Sequence, residues 1–399
     1  MKLLFIANRF PYPPFRGDKL KIFHLSRRLA ARGHGLHLAT FLEHETDLQH
    51  LPVLREIFSE IELVRLPKWK AAMQVLSGAW DRRPFQVLYF KSREFQRIVD
   101  RMLSEHQYDA VHVQHLRMSP YLRDRKDIPR ILDLPDAFSL YWERRKSVPG
   151  GFFKSLFEGV EQSRVLAYEQ KILPSYDKVL TCSPEDLQYL KERHGSTNLA
   201  LLPNGVDLDN FYSAAHDYSL GNTLLFTGNM DYAPNVDSVV YFVREILPLI
   251  REQVPDVRFV IAGQRPVKQV LELASESVIV TGFIENLNEV YSQASVVVAP
   301  LRFGAGTQNK VLEALAMGVP VVCSHIGFAG LGIANGEGAF METDPKRFAS
   351  RVIELLQSRE LRKSTGSKGA QVVRSRFGWD TIATLLEQYL VEVSDGRGR

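Results

Sequence analysis

The chain has only two cysteines in 399 residues, Cys182 and Cys323, each beside a strand-like run. Two thiols cannot form a disulfide framework or a Cys-rich metal centre, so both read as plain buried thiols in a reducing compartment. No His/Cys cluster has ligand spacing, and neither a metal nor another cofactor is expected. No apolar run approaches the ~18 residues of a membrane-spanning helix. The opening Met1–Ala7 (MKLLFIA) is interrupted by Asn8 and Arg9, too early for a signal peptide, and reads as a first buried strand. Low-complexity tracts are absent too. What remains is globular: 45% apolar and 24% charged residues, with a net charge of only +4. No nucleic-acid partner is expected from that balance. The length fits two or three domains of roughly 150 residues each.

The most informative stretch is Pro300-Leu301-Arg302-Phe303-Gly304-Ala305-Gly306-Thr307-Gln308-Asn309-Lys310-Val311-Leu312-Glu313-Ala314. Before it, Ser295–Pro300 (SVVVAP) is a β-branched run of the kind buried on both faces. After it, Val311, Leu312, Leu315 and Ala316 fall on one helical face, Gly318 closes the helix and Val319–Val322 starts another strand. A strand, a Gly-rich loop and a helix present backbone N–H groups to an anion. Gly304 and Gly306 allow a close approach, Thr307 follows them, and Arg302 and Lys310 add positive charge. Lys310 and Glu313, three apart, share a face. Phosphate would meet the cation, and sugar or ribose hydroxyls the carboxylate, which points to a nucleotide-sugar. The competing dinucleotide fingerprint fails because Asn309 stands where its third glycine belongs.

Around this motif the chain alternates strands and helices. In the first half, Leu3–Ala7 leads through Pro11–Asp18 to a helix with Ile22, Phe23, Leu25, Ser26 and Leu29 inward and Arg27, Arg28 and Arg32 outward. Further strands end at His115, at Pro135-Asp136 and before Ser183. The turn Pro203-Asn204-Gly205-Val206-Asp207 closes the half. The second half restarts with Thr223–Thr227 before Gly228, an amphipathic helix over Asn235–Leu249, a strand ending at Gly263-Gln264-Arg265, and another running into Gly282-Phe283. Ligands of such α/β sheets bind beyond the carboxyl ends of the strands, where Gly17, His115, Asp136, Gly228, Arg265, Phe283 and Gly306 sit. Charge is uneven: residues 1–200 hold 32 Lys/Arg against 24 Asp/Glu, a net +8, whereas residues 201–399 hold 18 against 22, a net −4. A basic first half could dock on an anionic membrane through Arg27, Arg28, Arg32, Arg82-Arg83 and Arg144-Arg145-Lys146.

These motifs resemble those of the retaining glycosyltransferases of family 4. The marks are the Gly17 loop before a helix ending in Arg32-Gly33-His34, Asn204-Gly205-Val206-Asp207, Thr281-Gly282-Phe283, and Lys310–Ala314 followed by Met317-Gly318-Val319-Pro320. The loops Pro11–Lys19 and Pro300–Thr307 are similar to those of sugar transferases from exopolysaccharide loci associated with the exosortase (PEP-CTERM) system. The resemblance implies an α/β chain of the GT-B type, with two Rossmann-like domains whose parallel sheets face each other across a cleft. Residues 1–205 would form the acceptor-side domain, 206–377 the nucleotide-sugar domain, and 378–399 a helix and tail crossing back to the first domain.

By the same resemblance Glu313 is the second acid of the family's Glu-x7-Glu pair and grips the ribose. The first acid is replaced by Ala305. The Arg and Lys usual after the first strand of the second domain are missing from Gly228-Asn229-Met230-Asp231, leaving Arg265, Arg302 and Lys310 as substitutes. His115 and Asp136 are the expected catalytic residues. Gly17, Gly228, Arg265, Phe283, Arg302, Gly304, Gly306, Thr307, Lys310 and Glu313 are expected to bind the donor, and Glu169 to be structural. The expected activity is transfer of a sugar from a UDP- or GDP-linked donor to a lipid-linked or oligosaccharide acceptor, in the cytoplasm or on the inner membrane face. An epimerase of the same fold and a non-catalytic nucleotide-sugar-binding subunit are the alternatives.

Overall fold

The computed structural model describes all residues except Arg16, Ala79, 147–151, 213–215 and 397–399, and not the side chains of 152–154. The chain divides into two compact units: Met1–Pro203 together with Trp379–Arg399, and Asn204–Gly378.

The first unit is built on seven parallel strands: β1 (Lys2–Ala7), β2 (Gly35–Leu42), β3 (Glu60–Arg65), β4 (Ala110–Gln114), β5 (Arg130–Leu134), β6 (Lys178–Thr181) and β7 (Leu199–Leu201). Their order is β3-β2-β1-β4-β5-β6-β7. β1 pairs with β2 from Lys2↔Gly35 to Ala7↔Thr40, and with β4 from Leu3↔Ala110 to Ile6↔Val113. Helices cover both faces of such a sheet, which is why the central strands are almost unbroken apolar runs. β3 is the exception. Its sequence, EIELVR, alternates charge with apolar side chains because it is an edge strand half open to water, and it carries no run for sequence inspection to find. The strand order reverses between β1 and β4, and Gly17 and His115 follow those two strands.

The last helix, Trp379–Asp395, belongs to this unit. Its Trp379, Ile382, Leu386 and Leu390 pack with Ile22, Leu25 and Leu29 of the Gly17–Ala31 helix, and the ring of His24 stacks on Trp379. This contact engages two of the arginines assigned outward, Arg32 remaining exposed and Arg28 half-buried. Arg28 pairs with Asp380 at 3.3 Å and Arg32 with Glu387 at 2.8 Å. The other basic clusters are also engaged within the unit: Arg83 with Asp81, Arg144 with Glu185 and Arg145 with Glu158. The membrane contacts expected from sequence are therefore largely committed to intramolecular carboxylates.

Beneath the same helix Lys21, fully buried, donates to Asp133 at 2.7 Å and to the Leu202 carbonyl at 3.1 Å. His112 Nε2 lies 3.4 Å from the other Asp133 oxygen. Burial opposes the Asp133 charge, but Lys21 and His112 together hold its carboxyl below the usual range.

The second unit has six parallel strands: β8 (Thr223–Thr227), β9 (Arg258–Ala262), β10 (Val278–Gly282), β11 (Val296–Ala299), β12 (Val321–Cys323) and β13 (Ala339–Met341), in the order β10-β9-β8-β11-β12-β13. The order reverses between β8 and β11. The helix expected over Asn235–Leu249 is interrupted: α-helix over Ala233–Tyr241, a π turn over Phe242–Ile246, then α-helix over Leu247–Arg251. Pro248 offers no N–H and its ring crowds the carbonyl four residues back, and the wider turn accommodates both. Among the described residues no helix is long and apolar enough to cross a membrane.

Lys21→Ala should destabilise the protein by about 3 kcal/mol or more, because it strands the buried Asp133 carboxylate. Urea unfolding at neutral pH measures this. The double variant Lys21→Met/Asp133→Asn should recover most of the loss. Asp133 is held below its unfolded pKa, so its contribution is present above about pH 4 and lost as pH falls through the lower folded value.

Candidate functional site

The Gly-rich loop after β11 leads into the helix Asn309–Ala316. Gly306 has φ 73°, a left-handed conformation that a β-carbon would strain. The first N–H groups of the helix have no partner within it, as in any helix start, and its N-cap, Gln308, makes no side-chain cap. Lys310 is the second residue of this helix and is buried. Its ammonium donates to Asn235 Oδ1 at 2.5 Å and lies 4.2 Å from the centre of the Phe226 ring. Asn235 in turn donates to the Asn229 carbonyl, in the loop after β8. Lys310 thus joins the carboxyl ends of β8 and β11, the two strands that flank the reversal. Among the described residues it makes no ion pair within 4.0 Å. Burial pushes it down to about 7, against the pull of Glu313.

Glu313 lies one turn further along. Tyr291, fully buried, donates to Glu313 Oε2 at 2.8 Å and is within 2.7 Å of Thr227 Oγ1. Burial raises the Glu313 carboxyl, with Tyr291 and Lys310 opposing. Sequence reading missed Tyr291, Asn235 and Phe226. Each looked like ordinary core in its own segment, and only the fold brings them to the Lys310–Glu313 face.

The structure treats the other residues named from sequence differently. Gly228 is needed for contact with protein: a β-carbon there would fall 2.6 Å from Asn235 Nδ2. Arg302 is held by Asp237 through Nε (2.9 Å) and Nη2 (2.5 Å) and lies over the Tyr241 ring. Its charge is committed to the helix that follows β8. Arg265 is exposed and 3.6 Å from Asp231, so it brings to the loop after β8 the cation that the loop itself lacks. Phe283 is 56% exposed beyond β10. Gly304 and Ala305 line the loop, and Thr307 Oγ1 contacts the Gly330 carbonyl at 3.3 Å. Ala305 is buried and offers no acid. One Asp-x-Asp does occur, Asp207-Leu208-Asp209. There Asp207 accepts from the Asp209 N–H and the Asn210 side chain, which makes it a turn.

In the first unit, Gly17 opens the helix after β1, and Gln114 at the end of β4 donates to the Asp18 carbonyl at 2.6 Å. His115 has φ 81°, accepts the Arg117 N–H on Nδ1 and packs on Phe138. Burial, then Arg117, holds it well below its ordinary pKa, so it is neutral at pH 7. Asp136 lies close to Asp186 and Cys182, near the ends of β5 and β6. Burial and the neighbouring Asp186 push Asp136 up to about 8, and burial pushes Asp186 up to about 7. Two close carboxyls that resist ionisation together can hold a proton at neutral pH. Glu169 is fully buried, accepts the Ser139 N–H and faces His194. Among the described residues two groups have side-chain atoms close enough together to hold a metal ion, Asp136 with Cys182 and Asp186, and His37 with Glu60 and His106 along the β2–β3 side of this sheet.

Two family models match the chain, Glycosyltransferase Family 4 over residues 22–210 and Glycosyl transferases group 1 over residues 221–358. Among curated proteins the chain is 24% identical over 370 residues to the 44.6 kDa protein of the cps region of Klebsiella pneumoniae, spanning 88% of this chain and 90% of that protein. It is 28% identical over 268 residues to the phosphatidyl-myo-inositol mannosyltransferase of Mycobacterium tuberculosis, 63% of this chain and 70% of the enzyme. Among solved structures, sucrose-phosphate synthase of Thermosynechococcus elongatus superposes with a TM-score of 0.73 at 18% identity, covering 99% of this chain and 100% of that one. Anabaena HepE in complex with UDP and glucose gives 0.71 at 14% identity over 98% and 100%. These two likenesses establish a shared fold.

Lys310 has a folded pKa below its unfolded value, so the unfolded state binds more protons between about pH 7 and 10.5, and stability rises with pH across that window. Lys310→Met should therefore stabilise the ligand-free protein at pH 7. The advantage over wild type should shrink by on the order of 2 kcal/mol at pH 9. A difference constant with pH in urea unfolding would mean that Lys310 titrates normally.

Proposed function

The chain is a GT-B glycosyltransferase whose two halves fall to the family 4 and group 1 models, and from that premise we propose that it moves one sugar from a nucleoside diphosphate sugar to a lipid-linked or oligosaccharide acceptor, with retention. The observation that carries the reading is Lys310: a buried cation at a helix start, hydrogen-bonded by an amide and backed by an aromatic ring, without a carboxylate of its own. Such a group invites an anion. A donor diphosphate there would complete the charge and draw on the helix N–H groups. Glu313, fixed by Tyr291, can accept the ribose hydroxyls. When the glycosyl bond breaks, negative charge grows on the diphosphate, and a fixed cation in a dry site lowers that barrier. Arg265 can reach the outer phosphate from the solvent side.

Asp136 and His115 supply the remaining chemistry. His115 is neutral and can only exchange hydrogen bonds with sugar hydroxyls. Asp136, sharing a proton with Asp186, can pass it to or take it from an acceptor hydroxyl near neutral pH. The acceptor reading is supported by the phosphatidyl-myo-inositol mannosyltransferase likeness, and a role in surface or exopolysaccharide synthesis by the likeness to a protein of a cps region. A cytoplasmic place at the inner membrane face goes with both. Ala305 favours a second reading, a non-catalytic subunit that binds donor and stops there.

The deciding experiment incubates the protein with UDP- and GDP-sugars, with and without membrane extract, and follows nucleotide release. Release only with extract is expected. Binding without release under any condition would favour the second reading. Lys310→Ala should cut activity by about tenfold or more, through loss of a charge-assisted contact of roughly 1.5–3 kcal/mol. Wild-type rates in folded Lys310→Ala would remove Lys310 from the reaction.

Nucleotide binding should also be legible without turnover. The diphosphate should raise the Lys310 pKa, so UDP binding near pH 7.5 should take up a large fraction of a proton. Calorimetry in phosphate and in Tris should then give different apparent enthalpies, and Lys310→Met should abolish the difference. Glu313→Gln should weaken UDP itself; unchanged affinity would assign Glu313 to the Tyr291 hydrogen bond alone.

A further inference from the structure

The helix Lys68–Ser77, just after edge strand β3, buries one residue, Ala71. Its apolar side chains point the other way. Trp69 is 67% exposed, Met73 61%, Leu76 76%, and Trp80 just beyond the helix 97%. The first three follow a spacing of four and three, which places them on one side of the helix. Water-facing tryptophans and aliphatics on one helical stripe are costly in a soluble monomer and mark a contact surface. Nearby, the helix Phe85–Tyr89 packs against this one. Its Phe85 stacks on Phe157 of the Phe152–Ile172 helix, where Leu156, Phe157 and Val160 are 59, 48 and 41% exposed. The apolar exposure therefore continues beyond a single helix.

The charge around the stripe has one sign. Between Leu66 and Lys91 the chain has five basic residues, Lys68, Lys70, Arg82, Arg83 and Lys91, and one acid, Asp81. Asp81 is bound by Arg83. Lys68, Lys70, Arg82 and Lys91 remain exposed. Arginines elsewhere in this unit, such as Arg28, Arg32, Arg144 and Arg145, are engaged by carboxylates. An aromatic and aliphatic stripe flanked by lysines, with no acid on the helix, is complementary to the headgroup region of an anionic bilayer: tryptophans lie at the interface and lysines reach the phosphates.

We propose that the Lys68–Ser77 helix and Trp80 form a membrane-docking face, inserted shallowly into anionic lipid. The face is the partner that a lipid-linked acceptor requires, but its test needs no turnover, so the glycosyltransferase reading can fail without it and it can fail alone.

The full chain should be mixed with vesicles of pure phosphatidylcholine or with roughly one-third phosphatidylglycerol. Co-sedimentation is expected with the anionic vesicles. Tryptophan emission should shift to the blue, and brominated acyl chains should quench it. Trp69→Ser/Trp80→Ser should lower partitioning by about tenfold or more, and Lys68→Glu/Lys70→Glu by a similar factor at low salt. High salt should weaken wild-type binding only in part, because insertion of apolar side chains is not screened. The changed side chains are exposed, so folding should survive; circular dichroism, and UDP affinity at the separate Lys310 site, check this. The proposal is overturned by anionic binding that is unchanged in Trp69→Ser/Trp80→Ser, by the absence of binding to any vesicle, or by concentration-dependent self-association that the same variant abolishes, which would make a second copy the occupant.

Discussion

The second unit is organised around one unresolved charge. Lys310 is buried and has an amide oxygen and a ring face for partners, which lower the cost of the ammonium without cancelling it. A buried cation without a carboxylate is unstable in isolation, and its folded pKa falls towards neutrality. The surrounding construction makes sense as support for that charge. The Gly-rich loop aims the helix start where an anion would sit, Asn235 anchors the ammonium to the loop after β8, and Tyr291 fixes Glu313 one turn away. An apolar residue at 310 would pack better and do nothing for an anion.

The first unit handles charge in the opposite way at its strand ends. Lys21 is held by Asp133 and the Leu202 carbonyl, with His112 beside the other carboxylate oxygen, so that group is structural. Among the described residues Asp136 and Asp186 make no ion pair within 4.0 Å; Arg117 acts on the first and Arg144 on the second, but burial outweighs both and each acid resists ionisation. In each unit the candidate chemistry lies where electrostatic satisfaction is incomplete, while the well-paired groups hold the fold.

Legibility from sequence followed local signal. Most strands of the two sheets, the Gly-rich loop and the Lys310–Glu313 spacing were readable because strand runs, glycines and helix periods are short-range. The strand orders with their reversal points and the three-residue strand β13 were not. The closing helix was readable as an apolar stripe from Ile382 to Leu390. Edge strand β3 was not, since alternating EIELVR lacks an apolar run. The break at Pro248 was hidden by the amphipathic period around it. Tyr291, Asn235 and Phe226 could not be assigned, because their roles depend on contacts between segments 19 to 84 residues apart in sequence. The GT-B fold rested on a family resemblance and not on periodicity.

Formal charge was the least informative quantity. The +8 of the first 200 residues looked like a basic surface, yet Arg28, Arg32, Arg83, Arg144 and Arg145 sit on carboxylates. An arginine bound to a neighbouring acid contributes little field beyond that pair. What distinguishes Lys310 in one unit, and Lys68 and Lys70 in the other, is that among the described residues none of them pairs with a carboxylate within 4.0 Å, whereas exposed Arg265 has Asp231 at 3.6 Å. Arg302 shows the converse: it stands beside the Gly-rich loop, where sequence spacing favours a phosphate ligand, but Asp237 holds it with two short hydrogen bonds. To serve a diphosphate it would have to give up that pair, and the net gain would be the small difference between two salt bridges. Lys310 would give up only an amide contact, so the same anion would gain far more there, and that difference is why the proposed donor site is centred on Lys310 and not on Arg302.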